Sequence, residues 1–211
     1  MGWHGSGTAR VKAYEPGPPH NAKLRTVRCR SGLLPGEHVR ITAGIIRAAD
    51  TAHPRSGLAR DKARAEHVPV IWVQHFDDHM PQASTAWEYA DELTPRRDDE
   101  PLVAKSWFDA FEDSDLEQRL AERRVGRVVV TGASTDACIR GTLHGAVARG
   151  YDATLVGDAH TSEDMSRWGY PQPEQMISYT NLFWDEHAAP GRRGGTVETA
   201  KVDFATPDGA A

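Results

Sequence analysis

From residue 58 onward the apolar positions fall into runs whose period and length predict alternating helices and strands. Leu58–His67 reads as the end of a helix. Val68-Pro-Val-Ile-Trp-Val73 is a continuous β-rich apolar run of the kind found in strands covered on both faces. Leu102–Ala104 predicts a second, shorter strand ending at Lys105, and Asp115–Arg124 a helix with Leu116 and Leu120 four apart on one side. Arg127–Thr131 is another buried strand. A helix opening near Ser134 runs to about Arg149 and stops at Gly150, and Ala153–Val156 supplies a further strand. Pro173–His187 predicts a helix begun by its proline, with Met176, Tyr179 or Thr180, and Phe183 on a common side; Thr196–Phe204 reads as a last edge strand. Strands and helices alternating at this spacing predict an α/β domain around a parallel sheet.

The first third of the chain is different. Residues 1–23, rich in Gly and Pro and without periodicity, read as a disordered leader. Leu24–Arg30 alternates weakly. Ile41–Ala49 admits a short helix, interrupted by Ala52-His-Pro-Arg-Ser-Gly57. One domain is therefore expected over residues 24–211, with 24–63 atypical.

Composition narrows the function classes. At 211 residues with 39% hydrophobic residues, the chain can bury one substantial core. No run approaches the roughly 20 apolar residues of a membrane span, and the start lacks a secretory layout, so a cytoplasmic location without membrane contact is expected. Two cysteines, Cys29 and Cys138, make no disulfide framework. Residues 1–64 carry twelve Lys and Arg against four Asp and Glu, although the whole chain has a net charge of −5. That basic arm has neither interleaved aromatics nor a helical stripe, so no nucleic-acid partner is expected. A nucleotide-dependent oxidoreductase is disfavoured, because no Gly-x-Gly-x-x-Gly follows a strand.

The strongest chemical signal is Cys138, where a strand turns into a helix in Gly126-Arg-Val-Val-Val-Thr-Gly-Ala-Ser-Thr-Asp-Ala-Cys-Ile139. A sulfur in the first turn of a helix faces unpaired N–H groups and the positive end of the macrodipole, which favour its anion. His75 and Lys105 also fall at carboxyl ends of predicted strands, where open parallel sheets bind ligands. Singly, such a lysine is usually a solvated charge and such a cysteine a small core residue.

Leu102-Val-Ala-Lys-Ser-Trp-Phe-Asp-Ala-Phe111 and Val130-Thr-Gly-Ala-Ser-Thr-Asp-Ala-Cys-Ile139 together resemble the isochorismatase-like cysteine hydrolases, a superfamily that includes nicotinamidases and N-carbamoylsarcosine amidohydrolases. Val68–His75 and Ala148–Ala159 carry supporting matches. The resemblance covers roughly residues 58–204. It implies a three-layer α/β/α sandwich with a roughly six-stranded, doubly wound parallel sheet, an Asp-Lys-Cys triad, and a homo-oligomer, dimer or tetramer. On that pattern Cys138 attacks the carbonyl of a small amide or ureido substrate, passing through a thioester-like intermediate without a cofactor, and Lys105 holds the thiolate and base. A non-proline cis peptide is expected at Ala133–Ser134, with the N–H groups of Ser134 and Cys138 as the oxyanion site.

The pattern departs from the family at the base. Val-Asp-x-Gln in the first strand has Val27-Arg-Cys-Arg30 as its nearest counterpart, so Arg28 stands where the aspartate belongs, and arginine cannot accept a proton. A disrupted or misread N-terminal segment is one account; a catalytically silent member that binds a metabolite or mediates assembly is the alternative. Asp50 and Asp61 are substitutes by residue type alone. His75, Trp107, Phe108 and Thr135 are the candidate substrate contacts, and Trp87 and Trp168 further aromatic ones. His160 and Tyr179 read as core or subunit contacts, and Asp158 as the cap of the turn that follows it. Asp77-Asp78-His79 contains metal-ligand types, but shifted off the strand end, so no metal site is assigned.

Overall fold

Apolar runs without alternation become parallel strands buried on both faces. The computed structural model describes residues 39–45, 54–88 and 96–204, all within Leu33–Ala211, one of the two compact units into which the chain divides. Five strands of four residues or more carry the sheet: β1 Val39–Ile45, β2 Val70–His75, β3 Leu102–Lys105, β4 Val125–Ala133 and β5 Asp152–Thr161. The short strands β6 Ala188–Ala189 and β7 Arg192–Arg193 form an antiparallel pair, and β8 Thr196–Val197 closes the main sheet. Four α-helices are described, α1 Pro54–Ala65, α2 Leu116–Glu122, α3 Arg140–Arg149 and α4 Pro173–Asp185.

The main sheet runs β3-β2-β1-β4-β5-β8, with every pair parallel. Its order counts outward in both directions from β1, which puts the reversal between β1 and β4 and the natural ligand crevice at their carboxyl ends. Alternate side chains of β2, β4 and β5 feed two separate cores. Ile71, Val73, Val128, Val130 and Leu155 meet Leu120, Leu143 and Trp184 from α2, α3 and α4. Val70, Trp72, Val129 and Val156 meet Ala63 of α1 with Val202 and Phe204. Burial of both faces is why these strands lack polar alternation. Gly150, at φ 104°, ends α3 in the left-handed conformation that a side chain would strain. Pro173 opens α4, whose first turn is tied by the Gln172 N–H donating to Gln175 Oε1 at 3.1 Å.

Four sequence readings need correction. Of the segment read as a short helix over Ile41–Ala49, the described residues 41–45 belong instead to the strand β1, in the middle of the sheet between β2 and β4. Val39, Ile41, Ala43 and Ile45 do recur with period two, and two neighbouring strands supply hydrogen bonds that a helix would have to make alone. The predicted edge strand over Thr196–Phe204 is only two residues long. Asp158 Oδ1 accepts from both the N–H and the hydroxyl of Thr199 at 2.7 Å, turning the chain into a 3-10 turn at Thr199–Lys201. Asp158 therefore caps a turn 41 residues away rather than the one that follows it. The fourth correction lengthens β5 from four residues to ten. Its pairing with β4 jumps from Val130↔Leu155 to Gly132↔His160, so a bulge carries the strand onward to the carboxyl end of the sheet.

Candidate active site

β3 and β4 end on opposite sides of β2 and β1, and their last residues define the site. In register, His75 of β2 lies beside Lys105 of β3. Lys105 is only 1% exposed, and its ammonium donates to Cys138 Sγ at 3.1 Å and to the Trp107 carbonyl at 2.7 Å. A buried ammonium needs such partners, because loss of hydration is otherwise uncompensated. Among the described residues no carboxylate bonds Lys105, and Nζ is the polar partner of the sulfur. Cys138 is a free cysteine, buried at 9% exposure.

The peptide Ala133–Ser134 is cis and directly follows Gly132, whose φ is 115°. A π-helical turn, Thr135–Ile139, then carries Cys138 into α3, with the Ile139 N–H donating to the Ser134 carbonyl at 3.0 Å. Such turns are rare insertions that recur at functional sites. The turn is held from β5. Thr135 Oγ1 lies 2.8 Å from His160 Nδ1, and His160 Nε2 lies 2.9 Å from Asn181 Oδ1. Asp136 Oδ1 accepts from Ser162 Oγ at 2.5 Å and from Ser134 Oγ at 3.1 Å.

Of the residues singled out from sequence, Lys105, Cys138, Ala133 and Ser134 gather at one end of the sheet, with His75 beside them. Trp107 and Phe108 project from the loop after β3 at 58% and 66% exposure. Trp87 donates Nε1–H to the His75 carbonyl at 3.0 Å, bracing the end of β2. Trp168 is exposed and stacks under Arg167. Thr135 is a correction: it is fully buried and its hydroxyl is committed to His160, so its side chain serves the turn and not a substrate-facing wall.

Asp61 lies on the exposed side of α1, paired with Arg60 and Arg64, and not at a strand end. Arg28, Cys29, Asp50 and the segments 1–23 and Val27–Arg30 lie outside the described residues. Asp77 turns its carboxylate on its own loop. Burial pushes it up, but the Met80 and His79 N–H groups and the His75 ring outweigh that and hold it below the usual carboxylate range.

His160, Asn181 and Ser162 were missed as site residues. A sequence signal existed: Gly157-Asp-Ala-His-Thr-Ser162 continues a strand with polar residues, placing His160 and Ser162 two apart on one face.

A parallel α/β sheet with a lysine-bonded cysteine in the turn beyond its central strands defines a thiol-bearing site of the α/β class. The chain matches the Isochorismatase domain over residues 45–177 and belongs to that family. It is 27% identical over 92 residues to N-carbamoylsarcosine amidase from an Arthrobacter species, covering 44% of this chain and 35% of that protein. To ureidoacrylate amidohydrolase from Methylobacterium radiotolerans it is 28% identical over 129 residues, 46% of this chain and 50% of that one. The chain thus aligns with half or less of the length of these two relatives. A cysteine hydrolase from Pseudomonas syringae pv. phaseolicola has a similar fold, with TM-score 0.63 and 19% identity over 76% of this chain and 89% of that one. The family is one of hydrolases, and its amidase-type relatives match at low identity. No helix among the described residues is long and apolar enough to cross a membrane.

Proposed function

We propose that this chain is a cofactor-independent cysteine hydrolase of a small amide or ureido compound, built on the doubly wound three-layer scaffold of its family. The observation that carries the reading is the 3.1 Å hydrogen bond from a buried lysine ammonium to Cys138 Sγ. In this scheme Cys138 reacts as the thiolate held beside the Lys105 ammonium, and the sulfur attacks the carbonyl carbon as the C–N bond breaks. The ammonium gives a proton to the leaving nitrogen. Water then opens the thioester-like intermediate, releasing the acid and restoring the thiolate and the ammonium. Backbone N–H groups of Ser134 and Cys138 are assigned to the oxyanion, and His75, Trp107 and Phe108 to the substrate. Matches to an N-carbamoylsarcosine amidase and a ureidoacrylate amidohydrolase support the choice of substrate class.

Assembly into a dimer or tetramer is part of the same reading. It is supported by Tyr179, Leu182 and Phe183, an exposed apolar row on α4.

The test is ammonia release from a panel of N-carbamoyl amino acids and small primary amides, with intact-mass detection of an acyl adduct on the protein. Hydrolysis lost on Cys138→Ala, with an adduct trapped at Cys138 in the native chain, is the expected result. Turnover that survives Cys138→Ala overturns the proposal, as does the absence of both turnover and adduct across the panel.

A further inference from the structure

We infer that His160 is a positioning residue: held as its Nε2–H tautomer by Asn181, it accepts from Thr135 and so fixes the turn that aims Cys138. The inference rests on the reading of Cys138 as nucleophile and adds a residue on which its aim depends.

The polarity of the chain follows from one group that can only accept. Asn181 Nδ2 lies 2.8 Å from the Gly157 carbonyl, which fixes the amide with its nitrogen toward Gly157. Oδ1 then faces His160 Nε2 at 2.9 Å, and an amide oxygen cannot donate, so Nε2 carries the proton. In the neutral ring Nδ1 is bare, and the Thr135 hydroxyl 2.8 Å away donates to it. Every bond in the series Thr135 to His160 to Asn181 to Gly157 therefore points the same way.

Both ends are anchored. A Cβ on Gly157 would fall 2.6 Å from Thr196 Cγ2 and 3.1 Å from the Asn181 amide, so it is a glycine that lets the strand come this close to Asn181. The Asn181 carbonyl accepts from Thr196 Oγ1 at 2.9 Å. At the other end Thr135 is the first residue of the π turn, and its carbonyl accepts from the Arg140 N–H five residues on. Holding Thr135 thereby holds the phase of the turn, and Cys138 is its fourth residue. His160 is 1% exposed and Thr135 fully buried, so no water competes for these groups. Ser162, the residue just after β5, ties Asp136 alongside, which makes the bulged end of that strand and its exit a clamp on the nucleophile's turn.

Two measurements test this. Long-range ¹H–¹⁵N spectra of the native protein, with the His160 signals assigned by His160→Asn, are expected to give a protonated Nε2 and a bare Nδ1. Alkylation of Cys138 by iodoacetamide, read by peptide mass, is expected to slow about tenfold in Thr135→Val and to stay within about threefold of native in Thr135→Ser, which keeps the hydroxyl. The isosteric valine keeps the packing, so a role confined to filling space predicts native rates in both variants. A protonated Nδ1, or Thr135→Val labelled at the native rate, overturns the inference. Neither readout requires turnover. Failure to hydrolyse any amide would thus count against the proposed reaction alone.

Discussion

Replacing Lys105 by Met tests the centre of the site. Methionine keeps most of the side-chain length and removes the ammonium that lies 3.1 Å from Cys138 Sγ and 2.7 Å from the Trp107 carbonyl. A full Coulomb attraction at that separation would be about 5 kcal/mol in an effective dielectric of about 20. A buried cation also loses hydration, so the measurable part is closer to a charge-assisted hydrogen bond, about 1.5–3 kcal/mol, or roughly 10- to 150-fold in rate. The assay is the second-order rate of iodoacetamide alkylation at Cys138 near neutral pH, read by peptide mass, with Cys138→Ala defining the background. Losing the Lys105 charge relieves a desolvation cost but leaves the Trp107 carbonyl and Cys138 Sγ without their donor, so a fall in stability of about 1–3 kcal/mol is expected in thermal unfolding. A cooperatively folded Lys105→Met protein whose Cys138 labels within about twofold of native would refute the argument that the ammonium acts on the sulfur.

Two further outcomes concern the scaffold. Glu100 is 5% exposed and binds Arg64 at 2.6 and 2.8 Å and Trp72 Nε1 at 2.7 Å. Burial pushes its carboxyl up, but Arg64, Trp72 and the Arg97 N–H outweigh that and hold it at about 2, against an ordinary 4.5. A carboxyl depressed on folding stabilises fully above its unfolded value, and that share, at most about 3 kcal/mol, is lost as pH falls from 4.5 toward 2. Urea midpoints of Glu100→Gln are expected to lie below native at neutral pH and to converge on it in that acid window; parallel curves would contradict the assignment. Gly145→Ala would gain up to about 1 kcal/mol in an ordinary helix. Here its Cβ would meet the Asp109 carboxylate at 2.4 Å and disturb the Asp109–Arg149 pair at 2.9 Å, so a net loss of about 1–3 kcal/mol is expected in thermal unfolding. An equal or higher melting temperature would show that the close approach costs nothing.

The sequence by itself determined the elements that bury their own apolar surface. Strands read at Val68–Val73, Leu102–Ala104 and Arg127–Thr131 and helices α2 and α4 were legible to within two residues of their observed ends, because continuous apolar runs and period-3.6 stripes report burial directly. The Lys105 and Cys138 motifs were legible as well, each sitting at the end of such a run. Tertiary structure decided what depended on neighbours. Val39–Ile45 is a strand because two other strands flank it, an influence absent from its own seven residues. Asp158 caps a turn far along the chain, and Thr135 belongs to the scaffold because β5 brings a histidine to it across a bulge. Patterns along a chain record burial and local conformation; hydrogen-bond partners 25 or 41 residues apart are chosen only when packing brings them together.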